Sequence, residues 1–283
     1  MSNVTFAFML TAIAGLATSV GGIIVLCSKV TNKKFLSICL SFSAGVMLYI
    51  AFAEIFVEAL ESLEYGFGEK TGYLITTLAF FAGVVVMVII DKFIPHDNHD
   101  NKVLELLESD SDQEKDTKLS NVKDTELKRT GILSSLAIAI HNLPEGIITF
   151  MAALYDPALG IAIAIAIIIH NIPEGVAIAA PIYHATGSKI KAFFISMAAG
   201  LTEPIGALIA WLFLRNIFDD VEGMFGILFA FVGGIMIFIA IHKLLPAAQK
   251  YGKHHVVMKW LFAGMAVMAL SLVTLEFVLY VRF

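Results

Sequence analysis

The chain has 283 residues, of which 58% are hydrophobic and only 15% charged, against about 45–50% and about 25% in an ordinary soluble domain. It is too apolar for water, too apolar to be disordered, and at a net charge of −5 it offers no basic face to nucleic acid. Its two cysteines, Cys27 and Cys39, have neither metal-binding spacing nor the number for a disulfide framework.

A spanning helix needs roughly 20 mostly apolar residues, and eight segments qualify. The sequence predicts spans over 5–27, 36–62, 72–93, 130–153, 159–183, 188–212, 222–244 and 259–281, so the fold class is an all-α polytopic membrane protein. The first span carries no ionisable residue and no cleavage-like site behind a short apolar core, so it reads as a helix and not a leader. The second carries Glu54 and Glu58. After the third comes the longest polar stretch, 94–129, which opens on His96-Asp97-Asn98-His99-Asp100 and continues as a mixed-charge run. Its composition predicts a flexible loop and not a second folded domain. Spans four and five hold His141 with Glu145 and His170 with Glu174. Span six holds Glu203, and span seven ends near His242.

Orientation follows from lysine and arginine. With the long loop in the cytoplasm, all 19 of them except Lys70, Arg215 and Arg282 fall on the cytoplasmic side. The expected topology is N-out and C-out, with the whole chain a single transmembrane domain in the cell membrane, the inner membrane in a prokaryote.

Ionisable groups inside a bilayer are expensive and point to function. Glu54, Glu145, Glu174 and Glu203 have no Lys or Arg at comparable depth, so their charge calls for another cation. Carboxylate and imidazole together suit Zn²⁺, Fe²⁺ and related ions, whereas an all-oxygen set suits Mg²⁺ or Ca²⁺. His141 and Glu145 lie four residues apart on one helix face, as do His170 and Glu174. The two pairs belong to a duplicated motif, His141-Asn142-Leu143-Pro144-Glu145-Gly146 and His170-Asn171-Ile172-Pro173-Glu174-Gly175. The turn between them lies near Asp156-Pro157. Both motifs then sit roughly 22 Å from that turn, at one depth and running in opposite directions. A pseudo-two-fold axis in the membrane plane with a site at mid-depth is a transporter arrangement. Asn142 and Asn171 add neutral oxygens on the adjoining helix faces, and Glu145 and Glu174 can bridge two adjacent metal sites.

The paired His-Asn-x-Pro-Glu-Gly motifs, the eight spans and the long loop after span three resemble the ZIP (Zrt/Irt-like) family of divalent metal transporters, most closely its bacterial ZupT-type branch. The resemblance covers essentially the whole chain. It implies a 3+2+3 arrangement, with spans four and five between two inverted three-helix repeats, and a binuclear centre. One site would use His141, Glu145, His170 and Glu174, with Glu54 from span two. The other would use Asn142, Asn171, Glu145, Glu174 and Glu203. The resemblance implies import of zinc, with iron, manganese and cadmium as further substrates, by movement of spans 1, 4, 5 and 6 against the rest. It also implies a homodimer as the assembly. No resident cofactor is expected, and the partners are the metal ions and the lipid bilayer.

Other polar residues have plainer readings. His242, beside Lys243, is open between packing and ligation. Glu58 and Glu61 read as a solvated acidic entrance, and His254-His255 as surface. The 11 methionines and 22 phenylalanines read as packing and lipid-facing bulk. An efflux carrier or a channel with the same ligands stays open, because binding residues do not encode direction. An intramembrane metallohydrolase would need a general base and an open metal position. There is no His-Glu-x-x-His, and no Ser or Cys near the motifs, so no enzyme is expected.

Overall fold

The computed structural model describes residues 3–27, 33–93, 142–214 and 223–280, and every regular element among them is helical. In chain order these are α1 (Asn3–Cys27), α2 (Lys33–Phe67), α3 (Glu69–Phe93), α4 (described over 142–155), α5 (Pro157–Thr186), α6 (Lys189–Phe213), α7 (Met224–Tyr251) and α8 (His254–Tyr280). Seven of them, all but α4, are long and apolar enough to cross a membrane. The start of predicted span four, His141, and the loop with His96 and His99 lie outside the described residues.

Local chemistry sets the joints. Asp156 is extended and its carboxylate accepts from Ala158 N at 2.6 Å, with Pro157 at the first helical position, so α5 starts at that residue. At the other end of α5, Gly187 takes the left-handed conformation that closes a helix, and Ser188 then caps α6. Three π turns interrupt the spans, Ala51–Ile55 in α2, Ala210–Leu214 at the end of α6 and Ala240–Leu244 in α7; such turns break the regular ladder and cluster at functional places.

The helices form two units. α1 packs along α5 and α6, and an apolar cluster of Ala7, Phe150, Met151, Ala207 and Ala210 adds α4 to them. In the second unit α2 packs on α8 and α3 on α7, with the later half of α2 between α3 and α7. The main contact between the units is α2 against α5. α2, α5 and α7 are the most enclosed helices. α3 and α8 are the most exposed and present Leu78, Phe81, Leu270 and Phe277 outward, as lipid-facing helices do.

Close approach depends on glycine, and the glycines reveal a second duplication. Gly45 of α2 meets the Leu261 carbonyl of α8, and Gly264 of α8 meets the Phe42 carbonyl of α2. Gly83 and Gly234 do the same across α3 and α7, against the carbonyls of Phe231 and Phe80. A Cβ on any of the four would overlap that oxygen. The sequence around them repeats: Phe42-Ser43-Ala44-Gly45-Val46-Met47 in α2 is matched by Phe231-Val232-Gly233-Gly234-Ile235-Met236 in α7. Likewise Phe81-Ala82-Gly83 in α3 is matched by Phe262-Ala263-Gly264 in α8. The α2 and α7 copies both run on into a π turn. Four helices lie between the copies of each pair, an even number, so in an up-and-down chain the copies run in opposite senses. A 3+2+3 inverted repeat would give this pairing, and Gly160 of α5 packs on Ala153 of α4.

Candidate metal centre

The site lies where the two units meet. Glu145 comes from α4, and His170 and Glu174 from one face of α5. All three are fully buried, and one ligand atom of each lies within 4.8 Å of the others. Asn142, Asn171 and Glu203 are also fully buried. Asn171 Nδ2 donates to Glu203 Oε1 and to the Ala14 carbonyl at 2.9 Å, which ties α5 to α6 and α1. Asn142 Nδ2 reaches the Ala199 carbonyl at 3.4 Å.

The histidine geometry is specific. His170 Nδ1 lies 3.0 Å from the Ala166 carbonyl. A carbonyl only accepts, so Nδ1 carries the hydrogen and Nε2 keeps its lone pair for a ligand. Nε2 then faces Glu145 Oε1 at 3.1 Å. Two acceptors at that separation need positive charge between them, either a proton or a metal ion.

Charge leads to the same requirement. Glu145, Glu174 and Glu203 are three carboxylates with no solvent contact, and no Lys or Arg is buried among the described residues. Glu145 Oε2, Glu203 Oε2, Asn142 Oδ1 and Asn171 Oδ1 have no hydrogen-bond partner among the described residues. Buried ionised groups without compensation cost several kcal/mol each. Two carboxylates beside one imidazole, as Glu145 and Glu174 stand beside His170, are a donor set that a divalent first-row cation takes.

The structure groups three of the eight expected ligands, Glu145, His170 and Glu174; Asn171 is tied to Glu203, and Asn142 is buried against the Ala199 carbonyl. His141 lies outside the described residues. Glu54 is partly exposed on the π turn of α2. It stands apart from the three-residue group: α2 reaches that group through Ser43, about three turns or roughly 16 Å earlier along the helix. Ser43 is the residue that sequence reasoning missed. It is buried, and its hydroxyl lies 3.5 Å from Glu174 Oε1 and from the His170 carbonyl. Its place in the Phe-x-x-Gly repeat, three residues after the previous buried position on that face, was the available signal. Ser196 of α6 is a second such tie, donating to the carbonyls of Thr18 and Gly175 at 3.0 and 3.2 Å.

His242 lies 3.1 Å from Asp91 of α3 and tilts over Phe238. Lys243 pairs with the same carboxylate. His254 and His255 are exposed.

Comparison with known proteins adds the lineage. The family model described as ZIP Zinc transporter matches residues 95–272. A protein of Clostridium perfringens named zinc transporter ZupT is 50% identical, over 96% of this chain and 96% of its own length. Proteins of the same name from Chlorobium chlorochromatii and Streptococcus mutans are 50% and 46% identical, over 95% and 94% of this chain and 97% and 96% of theirs. Agreement of this extent makes the chain a member of the ZIP zinc transporter family.

Proposed function

We propose that the protein carries zinc across the cell membrane into the cytoplasm, binding it at mid-depth between α4 and α5. The observation that carries this reading is the fully buried group of Glu145, His170 and Glu174, whose ligand atoms lie within 4.8 Å of one another in a membrane-spanning bundle. Relatives covered over 96% and 97% of their length are named zinc transporters. Iron, manganese and cadmium satisfy the same mixed donor set and are proposed as further substrates.

In this reading the primary ion is held by Glu145, His170 and Glu174, joined by His141. A second position uses Asn142, Asn171 and Glu203 and shares the two motif carboxylates. Glu54 meets the ion on its approach along α2. The lysine-rich side faces the cytoplasm, which sets both termini outside. The division into two units supports a motion in which α1, α4, α5 and α6 carry the ligands past α2, α3, α7 and α8, so that the site opens to each side in turn. Slow, saturable flux follows, because a dehydrated ion must leave several ligands at once. A homodimer is the proposed assembly.

The test is uptake of labelled zinc into proteoliposomes holding the full chain. Glu145→Ala should abolish saturable uptake while leaving folded protein in the bilayer. Uptake equal to the unmodified protein would sink the proposal, and uptake that never saturates would make the protein a channel.

A further inference from the structure

The metal centre is less symmetric than the scaffold around it. Ala14, Gly15, Thr18 and Gly21 of α1 have counterparts in Ala199, Gly200, Glu203 and Gly206 of α6 at constant spacing. Their contacts pair off in the same way. Gly15 and Gly200 each meet the other's carbonyl. Gly21 meets the Ile172 carbonyl as Gly206 meets that of Leu143, and Gly175 packs on the Thr18 carbonyl as Gly146 packs on that of Glu203. Asn171 donates to the Ala14 carbonyl as Asn142 does to that of Ala199. Position 18 is thus the two-fold counterpart of position 203, and a hydroxyl stands where the other half has a carboxylate.

The two halves are also satisfied differently. Glu203 Oε1 accepts from Asn171. On the other side Thr18 is fully buried, and neither its Oγ1 nor Asn142 Oδ1 has a partner among the described residues. A threonine in a helix commonly donates back to the carbonyl four residues earlier, as Thr11, Thr76 and Thr149 do here. For Thr18 that carbonyl is Ala14, which already accepts from Asn171.

We propose that Thr18 is a ligand position for the transported divalent cation. Its Oγ1, with Asn142 Oδ1, forms the neutral-oxygen side of the second metal position, and its lack of charge keeps that ion releasable. The inference rests on the metal-transport reading above. Glu145, Glu174 and Glu203 supply three negative charges, so one divalent ion leaves the centre anionic and a second leaves it cationic. A carboxylate at position 18 would neutralise both ions and retain them.

The test is equilibrium binding of zinc alone to the purified full-length protein, with thermal unfolding to establish that each variant is folded, and uptake measured in parallel. Thr18→Val, of equal shape, should leave the first zinc unchanged and weaken the second by about tenfold. Thr18→Ser, which keeps the hydroxyl, should retain more of that affinity than Thr18→Val. Thr18→Asp should tighten the second zinc at least about tenfold and slow uptake. If folded Thr18→Val and Thr18→Asp bind zinc as the unmodified protein does, or if that protein holds only one zinc, the proposal is overturned. If the unmodified protein binds no zinc, or if Glu145→Gln binds as it does, the underlying transport reading fails instead.

Discussion

Replacing Glu145 by glutamine tests the electrostatics of the centre with almost no change in shape. The three ligand atoms of Glu145, His170 and Glu174 lie within 4.8 Å of one another, so an ion between them lies within about 2.8 Å of each. A unit charge at that distance from a divalent ion is worth about 12 kcal/mol at an effective dielectric near 20. Proton competition reduces the net loss: protons take the empty ligands, so part of the gross attraction is already offset in the metal-free protein. The expected net loss is at least about 3 kcal/mol, or a zinc affinity roughly 100-fold lower. Competition against a chromogenic chelator, with detergent-purified protein, measures it. An affinity for Glu145→Gln within about threefold of the unmodified protein would refute the reasoning, because a buried carboxylate touching the ion cannot be removed so cheaply.

Three further outcomes follow from the same geometry. Gly83→Ala should lower the unfolding temperature in detergent, since its Cβ would overlap the Phe231 carbonyl. Prying α3 from α7 costs about 1–3 kcal/mol, and Gly264→Ala should match it at the α2–α8 crossing. Asp91→Asn removes the carboxylate that holds Lys243 and His242; with Lys243 partly exposed, the stability loss should be about 1–2 kcal/mol, and zinc binding at the centre should not change. Zinc at about 100 times its dissociation constant should stabilise the fold by about 2.7 kcal/mol, and a chelator should remove that gain in the unmodified protein but not in Glu145→Ala.

The membrane class and the buried grouping of Glu145, His170 and Glu174 were legible because their signals are local. A run of apolar residues is a span whatever it packs on, and Glu145 four residues after His141 marks a helix face before any neighbour is known. The duplication of that motif was legible too, since it survives as an identical string. The second duplication, from Phe42 to Met47 and from Phe231 to Met236, was harder to see. It is written mainly in glycine, methionine and β-branched residues, which any membrane helix contains. It gains meaning only when Gly45 and Gly234 are seen against the carbonyls they touch. Ser43 escaped for a related reason: a lone serine in a span bonds its own helix more often than a site. The π turns at Ala51–Ile55 and Ala240–Leu244 were not readable, because nothing in their composition separates them from α-helix. His242 was open from sequence alone, and its partner Asp91 lies on a distant segment that only the folded chain brings near.

The central claim is that Glu145, His170 and Glu174 together hold the transported ion. Anomalous scattering from zinc-loaded crystals of the full chain tests it most directly, since it locates the metal without reference to activity. The account predicts a zinc peak between α4 and α5, bonded to His170 Nε2 at about 2.0–2.1 Å and to carboxylate oxygens of Glu145 and Glu174 at about 2.0–2.2 Å. A zinc peak elsewhere in the bundle, with none between these three side chains at saturating metal, would contradict it.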